Sequence, residues 1–164
     1  MLKKYWHLLF PVLMLALMVF IFCMSAQPAD DSSLSSRHFT TFAARHLLTN
    51  FREFDALTQE QIIEGLSFII RKTAHFTEYA MLGFLGYLWL HRIRAGGLIA
   101  MGAAVCYAVT DEIHQNFIPG RSCELRDVLV DSSGALCGVI AAFALLSVLH
   151  CLTHKDVQQW GKWS

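Results

Sequence analysis

Asp111 and Glu112 stand side by side where an apolar run ends, followed by His114, Gln115, the pair Pro119-Gly120 and then Arg121. Carboxylates in or at the edge of a membrane-buried segment are costly to desolvate, so by default they mark a functional site. On a helix Asp111 and Gln115 share a face at i, i+4, whereas Asp111 and Glu112 diverge by about 100°. The two acids therefore need not face one cavity. A second set, Lys72, His75 and Glu78, recurs every three residues, and Asp127 and Asp131 lie one helical turn apart. These types suit two kinds of chemistry. Glu78, Asp111 and Glu112 are candidate catalytic groups, acting as general base, because perturbed carboxylates gather where acid–base work is done. Lys72, His75, Gln115, Arg121, Asp127 and Asp131 are candidate ligand-binding groups. Arg121 and Lys72 form an expected anion clamp, since the planar guanidinium matches phosphate or carboxylate.

The architectural counterpart of each assignment is equally concrete. Asp111 or Glu112 would pair with Lys72 or Arg121 and hold helices in register. His75 and Glu78 would satisfy each other, and Asp127 would cap a helix N-terminus. That last role explains Asp131 poorly, because it lies a turn deeper. His75, Glu78, Asp111, Glu112 and His114 are metal-ligand types, but no HExxH-type spacing is present, so neither metal nor cofactor is expected. Nothing in the spacing supports Ser122 or Cys123 as a nucleophile beside His75.

The elements that must position these groups follow from composition. The chain of 164 residues is 55% hydrophobic and only 16% charged. Its apolar residues are gathered into blocks close to the length a bilayer core requires. We therefore expect an all-α membrane protein forming a single domain over 1–164, with four spans near 8–24, 73–91, 97–114 and 128–150 and an outer loop 25–72. The first apolar run could serve as a signal peptide, but it is long for one and Ser25-Ala26-Gln27 is a poor cleavage site. Ser25 to Ser36 reads as a linker. Arg37 to Leu48 reads as a short amphipathic helix with Phe39, Phe42, Ala43 and His46 on one face, placed in the membrane interface or capping the bundle. Thr58 and Gln61 make a capping box that opens the next helix. Gly83 and Gly86, and the stripe Gly134, Gly138, Ala142, predict close helix approach. Trp160 and Trp163 suit an interface anchor.

Zero net charge argues against nucleic acid as a partner. The five cysteines lack CxxC spacing. Cys106, Cys137 and Cys151 read as small packing residues, and a Cys23–Cys123 disulfide is an alternative to free thiols. Basic residues in short loops set orientation. With both termini cytoplasmic, the inner segments hold Lys3, Lys4, Arg92, Arg94, Lys155 and Lys162 against the single acid Asp156. An even number of crossings then brings the three polar clusters to one outer layer.

At these residues the chain resembles the VanZ-like membrane protein family, named for an accessory protein of glycopeptide resistance that affects teicoplanin susceptibility. The resemblance rests on Ser25-Ala-Gln27-Pro28 with Ser32-Ser33, on Arg71-Lys72-Thr-Ala-His75-Phe-Thr-Glu78-Tyr79, on Asp111-Glu112-Ile-His-Gln115-Asn-Phe-Ile-Pro119-Gly120-Arg121, and on Asp127-Val-Leu-Val-Asp131 with Gly134. Asp131 departs from the family, which often has asparagine there. The resemblance implies a bacterial cell-envelope protein and, with it, the lipid bilayer as a partner, with a lipid-linked envelope precursor or a glycopeptide as the ligand. It supplies no reaction. The expected function is to bind or modify an amphiphilic envelope molecule at the outer leaflet, its head held by the polar groups and its tail by glycine-lined helices. A non-catalytic structural or signalling partner in an envelope complex, docking through the outer loop, is the alternative.

Overall fold

The computed structural model describes residues 6–160, and all regular structure among them is helical. Lys3, Lys4, Lys162 and Trp163 lie outside the described residues, as do the side chains of Lys155, Asp156 and Trp160. The order is α1 (Trp6–Ser25), α2 (Ala29–Leu47), a short 3-10 turn (Phe51–Glu53), α3 (Ala56–Leu90), α4 (Gly96–Gln115) and α5 (Leu125–Trp160). Three helices hold windows long and apolar enough to cross a membrane: Leu8–Ser25, Gly96–Gln115 and Leu125–Thr153. Their apolar side chains point largely outward, as in Val12, Leu15, Leu98, Leu129 and Phe143. Such surfaces are at home in hydrocarbon rather than in water.

α3 has 35 residues, roughly 50 Å at the ordinary helical rise, which is more than a bilayer core is thick. Its second half packs in the bundle and its first half, Ala56 to Arg71, carries α2. The centre of the bundle is built from small residues. A Cβ at Gly134 would sit 2.2 Å from the Phe76 carbonyl oxygen, and one at Gly138 would sit 1.8 Å from that of Ala80. At Gly83 the clash is with the Ala135 carbonyl oxygen, at 2.2 Å. α3 and α5 thus run parallel in backbone contact, as the glycine spacing predicts, and Ala142 is fully buried. Gly86 faces Ala100 of α4 and Met14 of α1. Around this seam Ile21, Tyr79, Leu82, Ala104, Ala108 and Ala135 form the core. Tyr107 donates to the Met18 carbonyl at 2.6 Å and sets the register of α4 on α1.

Several local expectations are corrected. The Ser25–Ser36 stretch is a linker only from Ala26 to Pro28, and α2 begins at Ala29. Packing overrides the weak helix propensity of its serines. Ser36 and Thr40 send their hydroxyls back to the carbonyls one turn earlier. Thr40 also accepts from Ser67 at 3.1 Å, and Arg37 grips Glu60 of α3 with its two terminal guanidinium nitrogens. Phe39 and Phe42 point away from the protein, while Thr40 and Ala44 face α3. The capping box is not used. Asp55 caps α3 instead, accepting from Leu57 N and Thr58 N, so α3 starts one turn early. The Thr58 hydroxyl and these amides hold the Asp55 carboxyl below its ordinary range. The five cysteines are free thiols, and Cys106, Cys137 and Cys151 lie on exposed faces rather than in packing.

Candidate functional site

One end of the bundle gathers the polar side chains. α1 brings Ser25, which ends its apolar run. α4 brings Asp111, Glu112 and Gln115 in its last turn, and α5 brings Asp127 and Asp131 near its start. α3 contributes Lys72, His75 and Glu78 from the middle of its length. Between α4 and α5, Ile118 to Arg121 form a tight turn closed by Arg121 N to Ile118 O at 3.1 Å. Proline at its second place and Gly120 at φ +75° are what a type II turn demands. That turn aims Arg121 back over the helix ends. The α2 start closes the flank: Ala29 N donates to the Pro119 carbonyl at 3.2 Å.

The polar groups form a linked chain. Asp111 Oδ2 accepts from Ser25 Oγ at 2.8 Å and from Gln115 Nε2 at 3.1 Å. Gln115 Oε1 accepts from Arg121 Nη1 at 3.1 Å. Ser25, Asp111 and Gln115 are all buried, so the chain runs from a dry interior to the half-buried guanidinium. Glu112, only 2% exposed, points the other way and accepts from the Glu124 backbone N–H at 2.7 Å. This divergence is the one that helical geometry predicts for adjacent residues. Lys72 is bonded to Asp127 across α3 and α5. The expected pairing of Asp111 or Glu112 with Lys72 or Arg121 is therefore wrong. Lys72 lies closest to the start of the parallel helix α5, and Arg121 is met first by a neutral amide. Asp127 is not an N-cap either, because α5 starts two residues earlier and places it in the first turn.

Other acceptors and donors remain open. Asp111 Oδ1, Asp127 Oδ1, His75 Nδ1, His114 Nε2 and the Tyr79 hydroxyl are buried without a hydrogen-bond partner. His75 Nδ1 lies 3.9 Å from Glu78 Oε2, too far for a hydrogen bond, so the two do not satisfy each other as expected. His114 stacks on Phe22 of α1 with ring centroids 4.5 Å apart.

Two cavities occupy this end. The larger, about 270 Å³, is lined by Lys72, His75, Glu78, Gln115, Arg121 and Asp127 of the predicted set. It also holds Arg71, Ser122 and Glu124, with Ala29 and Ser32 from α2. A smaller one of about 10 Å³ lies beside it, lined by Glu112 and Asp131 together with Lys72, His75, Gln115 and Asp127. Asp111 lines neither and acts from behind Gln115. Arg121 lies in the turn outside the spans. Burial first, then the neighbouring Arg71, lowers its proton affinity from the usual guanidinium value, while Asp111 and Glu112 oppose the shift. It stays charged at neutral pH because that value is so high.

Among the described residues no group of three or more His, Cys, Asp or Glu side chains is arranged to hold a metal ion. Ser25 and Arg71 stand in the motifs that carry the resemblance, but neither was given a role in the site. The available signal for Ser25 was its place as the first hydroxyl after an apolar run.

A family model described as VanZ/LLP1 matches residues 10–147. No curated protein and no solved structure matches the chain.

Proposed function

The chain belongs to the VanZ/LLP1 family, and on that premise we propose that it is a bacterial cell-envelope membrane protein that binds the anionic head of an amphiphile at the outer face of the bilayer. The observation that carries this reading is the larger cavity. Arg71 and Arg121 line one space with Lys72 and His75, and with the carboxylates of Glu78, Glu124 and Asp127, of which Asp127 is taken by Lys72. Arg121, half-buried and bonded on one side only to the neutral Gln115 amide, is a guanidinium whose planar fork fits phosphate or carboxylate. A phosphate or pyrophosphate on a lipid-linked envelope precursor lies at this depth, and a glycopeptide carries carboxylate.

The reading places four spans in the membrane. The second half of α3 is the span that the apolar windows omit, because Lys72, His75 and Glu78 interrupt it. Both termini are then cytoplasmic, and α2 with the first half of α3 stands over the outer leaflet, Phe39 and Phe42 dipping toward lipid. The whole of 1–164 is one domain. Its phenotype is altered susceptibility to glycopeptides such as teicoplanin.

Binding of dodecyl phosphate to the purified protein in lipid nanodiscs tests the reading. Arg121→Ala is expected to weaken binding about tenfold, the loss of one charged hydrogen bond, with partial recovery in Arg121→Lys. Equal affinity in all three proteins would discard it.

A second reading is favoured by one specific observation. Much of the polar set is consumed internally, as in Lys72 with Asp127, Glu112 with Glu124 N, and Ser25 with Asp111 and Gln115. On that reading the cluster is architecture, and the protein is a structural or signalling partner that docks through α2. An enzymatic role would fall to Glu78, which faces the larger cavity beside His75, more than to Asp111 or Glu112, which are engaged elsewhere.

A further inference from the structure

The glycines expected to cradle an apolar tail are not free to do so. Gly83, Gly134 and Gly138 are pressed against the backbone of the facing helix, so the α3–α5 seam is closed. The amphiphile reading above therefore needs another place for its hydrocarbon chain.

The opposite face of α3 provides one. An open groove of about 430 Å³ is lined by Ile70, Thr73, Ala74, Thr77 and Glu78. These positions recur at helical spacing and form one stripe along α3. The Thr77 hydroxyl donates to the Thr73 carbonyl at 2.7 Å, so it is satisfied within its own helix and leaves its methyl for the groove. One turn beyond Thr77 the stripe continues into Met81, which is 52% exposed. At its other side the groove meets the polar cavity directly, because Ala74 and Glu78 line both.

We propose that this stripe of α3, from Ala74 past Thr77 toward Met81, is the track for the hydrocarbon chain of the amphiphile whose anionic head occupies the polar cavity. The proposal rests on the head-group reading and adds to it the route by which the ligand enters. The head crosses the rim at Ala74 and Glu78 sideways from the outer leaflet, and the chain never leaves the lipid side of the bundle. The cavity sets Arg71, Lys72 and Arg121 beside Glu78, Glu124 and Asp127, with Lys72 already paired to Asp127, so the head lies at the Arg71–Arg121 side. Continuity of that cavity with a stripe pointing into the bilayer favours an amphiphile over a peptide or a soluble anion. A soluble anion would have no use for the stripe, and a peptide would leave its backbone groups unpaired in hydrocarbon.

The test uses the full chain in nanodiscs with two probes of one head, butyl phosphate and dodecyl phosphate. Thr77→Trp fills the groove without touching the polar cavity. It is expected to weaken dodecyl phosphate about tenfold, the loss of contact with a few methylenes, and to leave butyl phosphate unchanged. Met81→Trp, one turn on, should act in the same direction more weakly, and it guards against a folding defect in the first variant. Unchanged dodecyl phosphate affinity in both variants overturns the track and leaves the groove as ordinary lipid contact. In that event the head-group reading still stands if Arg121→Ala weakens butyl phosphate. If wild-type protein binds neither probe, the head-group reading fails and the track falls with it.

Discussion

At the scale of single residues, the site is a contest between pairing and openness. Lys72 and Asp127 sit in a partly buried setting where each is tolerable because the other is present. Removing Lys72 takes away the one hydrogen bond to the Asp127 carboxylate and leaves it only Arg126 Nε at 3.8 Å. Lys72→Met is therefore expected to destabilise the protein by about 2–3 kcal/mol, read as a lower midpoint of thermal unfolding in detergent. Lys72→Met with Asp127→Asn should recover more than half of that loss, because the stranded charge is gone. If the double variant is as unstable as the single one, the cost lies in packing of the lysine stem and not in the charge.

At the scale of elements, the parallel contact of α3 and α5 is a matter of missing side chains. A Cβ at Gly138 would overlap the Ala80 carbonyl, an atom that cannot turn aside as a flexible side chain can. Gly138→Ala should force the two helices apart at a cost of about 3 kcal/mol or more and deplete folded protein in the membrane. Gly65 and Gly102 are also helical, yet a Cβ at either meets nothing within 4 Å. Gly65→Ala or Gly102→Ala should instead be neutral or stabilising by up to about 1 kcal/mol, from helix propensity alone. Urea or thermal unfolding of the three variants side by side separates the two roles. Equal effects at Gly138 and Gly65 would contradict the close seam.

At the scale of the whole molecule, the polar cluster, at the end of α4, the start of α5 and the middle of α3, lies at the other end of α4 from the basic loop 91–94 that joins α3 to α4. The proposed orientation puts the polar end outside. Cys123 sits in the exposed turn before α5 and is a free thiol, so it serves as a native reporter. In intact cells a membrane-impermeant maleimide should label Cys123, and a cysteine placed at Arg92 should react only after permeabilisation. The Cys123→Ser protein identifies which label is which. Labelling of the Arg92→Cys position from outside would invert the topology and remove the outer-leaflet ligand from reach.

Much of this organisation was legible in the sequence because it is local. Apolar runs, the Pro119-Gly120 pair and the small-residue stripe Gly134, Gly138, Ala142 each act within a few residues, so spacing places the apolar helices and the face that packs closely, though not the start of α2 or α3. Other local signals were degenerate. Asp55 and Thr58 can both cap α3, and only the fold chose the first. What tertiary structure alone decided is who meets whom. Ser25 and Asp111 are 86 residues apart and Lys72 and Asp127 are 55 apart, and no propensity connects them. Helix order and tilt set those distances, and buried charges then settle on the nearest partner that desolvation allows. The same packing closed the glycine seam and left the far face of α3 open beside the polar cavity.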